Sequence, residues 1–165
     1  MKKLCLLLTL AVLLCGCNKK DYETRAAPCG VEEITAPGVI SIDVPDGLSA
    51  PVMSTQEGDR LYIADHYEVS LQTMAGGDID ATLKSCTGFD SSRLTLLETA
   101  KDGLKRYDCA FTALGEAAQT VGRLTVLDDG NYHYVLTVIT DGAYGAEMTA
   151  AWQQLSDSFQ VNIVR

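Results

Sequence analysis

The stretch Thr120-Val121-Gly122-Arg123-Leu124-Thr125-Val126-Leu127-Asp128-Asp129-Gly130-Asn131-Tyr132-His133-Tyr134-Val135-Leu136-Thr137-Val138-Ile139-Thr140 decides the fold. Two runs rich in β-branched residues flank Asp128-Asp129-Gly130-Asn131. Those four residues are turn chemistry: glycine accepts a positive φ at no steric cost, and Asp and Asn side chains bond the backbone two residues on. The pattern predicts a β-hairpin, Thr120–Leu127 against Tyr132–Thr140. In the second arm Tyr132, Tyr134 and Leu136 share one face by the two-residue period. His133 falls on the other, expected as a histidine on the sheet surface.

Towards the N-terminus, Leu104–Ala113 and Arg93–Thr99 read as two more strands meeting at Asp102-Gly103. Tyr107, Cys109 and Phe111 share one face of the former, Arg106 and Asp108 the other. Before them Gly76-Gly77 breaks the sheet pattern and Asp78 caps a helix. Ile79, Leu83 and Cys86 make one apolar stripe on it, which Thr87-Gly88 ends. Earlier still, Ile40, Ile42 and Val44 alternate with Ser41 and Asp43 up to the stop at Pro45-Asp46-Gly47. Leu61 and Ile63 begin a second strand, and Tyr67, Val69 and Leu71 a third, with Asp65-His66 as the turn between. Beyond the hairpin, Asp141-Gly142 closes the last strand. Met148, Trp152, Leu155 and Phe159 then recur at helical spacing, laying the single tryptophan on the sheet. Three strands, a helix, four strands and a helix, joined by short turns, give an α+β fold. Its expected centre is an antiparallel sheet of about six or seven strands covered by helices.

Two stretches carry a family resemblance. Ile40-Ser41-Ile42-Asp43-Val44-Pro45-Asp46-Gly47 resembles the opening of Mog1/PsbP-like proteins, and Trp152-Gln153-Gln154-Leu155-Ser156-Asp157-Ser158-Phe159 resembles their terminal helix running into Ser-Phe. The Asp128–Val138 hairpin fits the strand pair ahead of that helix, so the likeness spans most of residues 38–162. It implies an α/β/α sandwich and a role in binding or assisting other proteins, as family members do in photosystem assembly or nuclear transport. It brings no catalytic residue set, and fold likeness alone says little of function.

At the N-terminus Lys2 and Lys3 precede an apolar run, Leu4 to Leu14, broken only by Thr9. As a helix that run rises about 16 Å, short of a hydrocarbon core of roughly 30 Å, so it reads as a signal peptide and not a span. Leu14-Cys15-Gly16-Cys17 is similar to a bacterial lipobox. The resemblance implies cleavage after Gly16 and a diacylglycerol on the Cys17 thiol, hence a lipid anchor on the extracytoplasmic face of a bacterial cell membrane. Each buried methylene contributes about 0.8 kcal/mol, so several chains hold firmly. The expected organisation is a signal peptide over 1–16, a lipidated N-terminus and flexible tether over 17–37, and a single α+β domain over 38–165. Pro28 and Pro37 interrupt the polar tether.

The chain has 13 basic and 22 acidic residues, a net charge of −9 that becomes −11 when Lys2 and Lys3 leave with the leader. Nucleic acid and anionic lipid surfaces both need a basic footprint, so neither is the expected partner of the domain. Of six cysteines, Cys5 and Cys15 go with the leader and Cys17 becomes the anchor, leaving Cys29, Cys86 and Cys109. If the helix covers the inward face of the Cys109 strand, Cys86 and Cys109 are the candidate pair for a disulfide, the alternative being that they stay reduced. The closed loop of about 24 residues is worth roughly 3 kcal/mol, and an export compartment permits the bond. Left reduced, Cys109 is an inert buried thiol.

Catalytic spelling is missing. His66 and His133 are the only histidines, and neither H-x-x-x-H nor a paired C-x-x-C occurs, so no zinc site is written in the pattern. Asp128, Asp129 and Asn131 lack the spacing and terminal glutamate of an EF-hand, and turn chemistry accounts for them. No serine lies in G-x-S-x-G, and Gly76-Gly77 and Gly142–Gly145 lack a phosphate-loop sequence. The expected function is non-enzymatic, with no cofactor or metal: a membrane-anchored lipoprotein that binds an exported protein or assists its assembly. The alternative is a small-ligand or cation-binding lipoprotein with an acidic cleft.

Overall fold

The computed structural model describes residues 36–56, 58–114 and 119–163. The leader, Cys17 and Cys29 lie outside them. The hairpin turn forms as its chemistry predicts. Asp128 Oδ1 accepts from Gly130 N at 2.7 Å, and Asp129 Oδ1 accepts from Asn131 N and Tyr132 N at 2.8 and 2.7 Å. Gly130 sits at a φ of 93°, which a side chain would strain. The turn joins β7 (Gln119–Asp128) to β8 (Tyr132–Asp141).

These two strands lie inside a seven-stranded antiparallel sheet of order β2-β3-β4-β8-β7-β6-β5. Its other members are β2 (Met53–Ser54), β3 (Arg60–Ile63), β4 (Glu68–Ala75), β5 (Thr95–Lys101) and β6 (Leu104–Leu114). Between β5 and β6 both Asp102 and Gly103 take positive φ, 53° and 83°, the geometry of a two-residue hairpin turn. β1 (Val39–Ser41) departs from the expectation that it joins this sheet. It pairs instead with β9 (Gln160–Asn162) as a separate ribbon. The reason is burial: Ile40 and Phe159 enter the same core, so the extended chain after Phe159 meets β1 there.

Two helices cover opposite faces. α1 (Ile79–Thr87) starts where the Asp78 side chain accepts from Asp80 N and ends at left-handed Gly88. α2 (Gly145–Ser158) stops one residue before Phe159, which is buried from extended backbone and is not part of the helical stripe. Under α2, Leu71, Tyr134, Leu136 and Val138 pack with Met148, Leu155 and Phe159. Under α1, Leu124, Val126, Val135, Tyr107 and Cys109 pack with Leu83. The two-residue period of β8 makes this division, sending Tyr134 and Leu136 one way and His133 and Val135 the other. The fold is α+β, a central antiparallel sheet with helices on both faces.

Candidate functional site

Helix length leaves part of the sheet open. α1 has nine residues, so it is about 14 Å long and covers about three strands at their usual spacing. Its core draws on β6, β7 and β8, with Met74 of β4 and Leu96 of β5 at the margins. Directly paired residues in antiparallel strands point to the same face. Register runs Met53 to Leu61 to Ser70 to Thr137 to Leu124, and Leu124 is under α1. Met53, Leu61 and Ile63 therefore share the α1 face, yet they belong to neither core. Met53 is 52% exposed and Ile63 51%. This half of the face is bare among the described residues.

A pocket of about 440 Å³ lies at its end. Ile63, Glu68 and Ile139 form one wall, successive members of a single cross-strand row. The β3–β4 turn adds Asp65 and His66, the end of β8 adds Asp141, and the short turn after it adds Tyr144. The His66 and Tyr144 rings stack with centroids 4.0 Å apart and planes 9° from parallel. Two bonds hold that stack in place. The Thr140 hydroxyl donates to the His66 carbonyl, and Asp141 Oδ1 accepts from Ala143 N at 2.8 Å to set the short 3-10 turn Gly142–Tyr144. Asp65, Glu68 and Asp141 give the pocket three carboxylates, and no Lys or Arg lines it. Burial, and then the Glu147 carboxylate, push the Tyr67 phenol up, so it remains a protonated donor at neutral pH. The sequence shows Asp65-His66 only as a turn. Nothing local to it announces Tyr144, which arrives through tertiary structure.

His133 requires a correction. It is fully buried beneath α1 and not on the sheet surface. Its Nδ1 lies 2.7 Å from Thr82 Oγ1 of that helix, while Nε2 has no hydrogen-bond partner and sits 3.8 Å from Asp128 Oδ1. The two-residue period assigns its face properly; what it cannot show is that α1 lands on that face. Cys86 and Cys109 do face one core, as expected, and both are free thiols. Cys86 Sγ lies 3.9 Å from Met74 Sδ of β4, and Cys109 lies on β6 in the same core. Burial pushes both thiols up. Cys109 reaches about 11, with Asp108 and Cys86 adding to the effect. Thiols held protonated are poor nucleophiles at neutral pH. Among the described residues no three or more His, Cys, Asp or Glu are placed to hold a metal ion. No described helix is long and apolar enough to cross a membrane.

The opposite face carries a polar group of a different kind. Arg106 Nε and Nη2 donate to Asp108 Oδ2 and Oδ1 at 2.7 and 3.0 Å, a two-point pair largely shielded from solvent. Thr125 Oγ1 donates to Asp108 Oδ1, and Arg106 Nη2 donates to Ser156 Oγ of α2. Trp152 Nε1 donates to Thr125 Oγ1 at 3.2 Å, and Lys101 Nζ donates to the Ser156 and Asp157 carbonyls at the C-terminal end of α2. This network fastens a helix to a sheet.

No family model matches the chain, and no curated protein matches it. Solved structures do. The envelope-biogenesis protein LpqN of Mycobacterium tuberculosis is 11% identical, with a TM-score of 0.53, over 78% of this chain and 87% of that one. A protein of Bacteroides thetaiotaomicron is 11% identical, with a TM-score of 0.50, over 74% of this chain and 45% of that one. Cyanobacterial PsbP of Synechocystis overlaps 82% of this chain and 98% of that one at 13% identity, with a TM-score of 0.46. At such identities the first two establish a shared fold and no more.

Proposed function

We propose that the chain is a membrane-anchored extracytoplasmic lipoprotein whose domain binds an exported protein, or assists its assembly, without catalysis. The observation that carries this reading is the bare half of the α1 face, where Met53 and Ile63 stand open beside a pocket. Apolar side chains presented together on a rigid sheet suit docking. The lipobox resemblance at Leu14–Cys17 supplies the location, and the resemblance to Mog1/PsbP-like proteins supports a helper role. LpqN, of similar fold, is described as involved in cell envelope biogenesis, which is in keeping with an envelope setting. His133 is walled in and both described thiols are held protonated, while His66 stands in the pocket stacked on Tyr144.

Crosslinking in membranes that carry the full chain, followed by capture and mass spectrometry, tests the reading. One exported protein should be enriched over both a tether-only control and an Ile63→Ser variant. Equal recovery from all three would contradict it. The three pocket carboxylates favour a second reading, a small cationic ligand. That reading predicts a higher melting temperature when such a ligand is added to the purified chain.

A further inference from the structure

The pocket and the bare strip form one continuous surface, because Ile63 and Glu68 belong to both. Its two ends differ in chemistry. Met53, Leu61 and Ile63 offer apolar side chains at the strip. The pocket offers Asp65, Glu68 and Asp141, with the outer surface of a stacked histidine–tyrosine pair beside them. Tyr144 is 38% exposed, so its ring is available to a ligand. Carboxylates with no cation among them draw positive charge and repel negative charge. Planar aromatic faces next to carboxylates suit a guanidinium best, since it stacks and forks at once, and an ammonium next.

Resting on the protein-binding reading above, we infer that the partner docks through a segment joining a lysine or arginine to an apolar residue. The cationic group enters the pocket between Asp65, Glu68 and Asp141, and the apolar neighbour lies on Ile63 and Met53. Net charge agrees, since an acidic chain steers a basic segment towards itself. The strip also has a firm border on the β6 side. The Phe111 ring lies so close over Gly122 that any side chain at 122 would collide with it. Gly122 pairs with Ile139, so this ring stands at the end of the Ile63–Glu68–Ile139 row.

The test uses the full chain and fluorescently labelled hexapeptides of alternating residues: arginine with leucine, glutamate with leucine, and serine with leucine. The arginine peptide should bind at least about tenfold more tightly than either other peptide, and raising salt from about 0.05 to 0.5 M should weaken it. Asp65→Asn with Asp141→Asn should abolish that preference while the melting temperature holds, and Ile63→Ser, which removes the apolar contact without adding charge, should weaken binding of the arginine and serine peptides. Equal binding of all three peptides would overturn the inference, as would an unchanged preference in the double variant. Displacement of the arginine peptide by a neutral chitooligosaccharide would overturn it too, in favour of a sugar site. The two fail separately: if crosslinking still captures a partner from the Asp65→Asn, Asp141→Asn variant as well as from the native chain, the protein-binding reading stands and only the cationic docking chemistry falls.

Discussion

The two faces of the sheet are closed to different degrees. Under α2 the cover is doubled: a fourteen-residue helix and the β1–β9 ribbon pack on Leu71, Tyr134, Leu136 and Val138, and the Arg106–Asp108 network pins the helix in place. Under α1 the cover is one nine-residue helix, which seals β6 to β8 and leaves Met53, Leu61 and Ile63 outside both cores. The comparison teaches where to look for function in a fold of this kind. A residue buried by both helix and sheet answers to stability, and an apolar residue left on the open part of the same sheet is free to serve a partner.

The largest expected effect sets these faces against each other. Leu136 is fully buried, so Leu136→Ala should cost about 2–5 kcal/mol in urea unfolding. Ile63→Ala should change stability by no more than about 0.5 kcal/mol. Similar costs for the two would remove the distinction. Next in size is Asp108→Ala, which strips Arg106 and Thr125 of their acceptor beneath α2. It should cost about 1.5–3 kcal/mol at an unchanged dependence on urea. A null effect there would mean that α2 is held by packing alone.

The smallest effect belongs to the α1 face and appears only in alkali. Burial raises the Cys109 thiol from 9.0 to about 11 in the folded chain. A group whose folded pKa is raised contributes stability that is complete below its unfolded pKa and is lost as pH climbs through the folded one. Melting temperature should therefore decline more steeply between pH 9 and about 11 than in a Cys109→Ala variant. Identical slopes would show that the thiol is not held in the α1 core.

Much of this architecture is legible in the sequence, and the omissions have physical causes. The Asp128–Asn131 turn, the Asp102-Gly103 turn and the α1 caps are local chemistry, written within a few residues. The face taken by Cys109 and the opposite face shared by Arg106 and Asp108 follow from strand period alone, whereas the pairing of those two beneath α2 does not. Strand β2 has two residues and β9 three, too short for a period to show. The burial of His133 depends on where α1 lands, and the stack of His66 on Tyr144 joins two turns distant in the chain. Both are tertiary facts. Net acidity is visible in composition, but its concentration as Asp65, Glu68 and Asp141 in one pocket needs the fold.

Two methionines give the most direct test that the bare half of the α1 face is a docking surface. Met53 is exposed on that strip, and Met148 is buried under α2 as an internal reference. Mild peroxide oxidation, followed by peptide mass spectrometry, reads both in one experiment. In the isolated full chain Met53 should oxidise quickly and Met148 slowly. In native membranes, with the partner present, Met53 should become protected, and Ile63→Ser should restore its oxidation. An equal Met53 rate in isolated protein and in membranes would contradict the account.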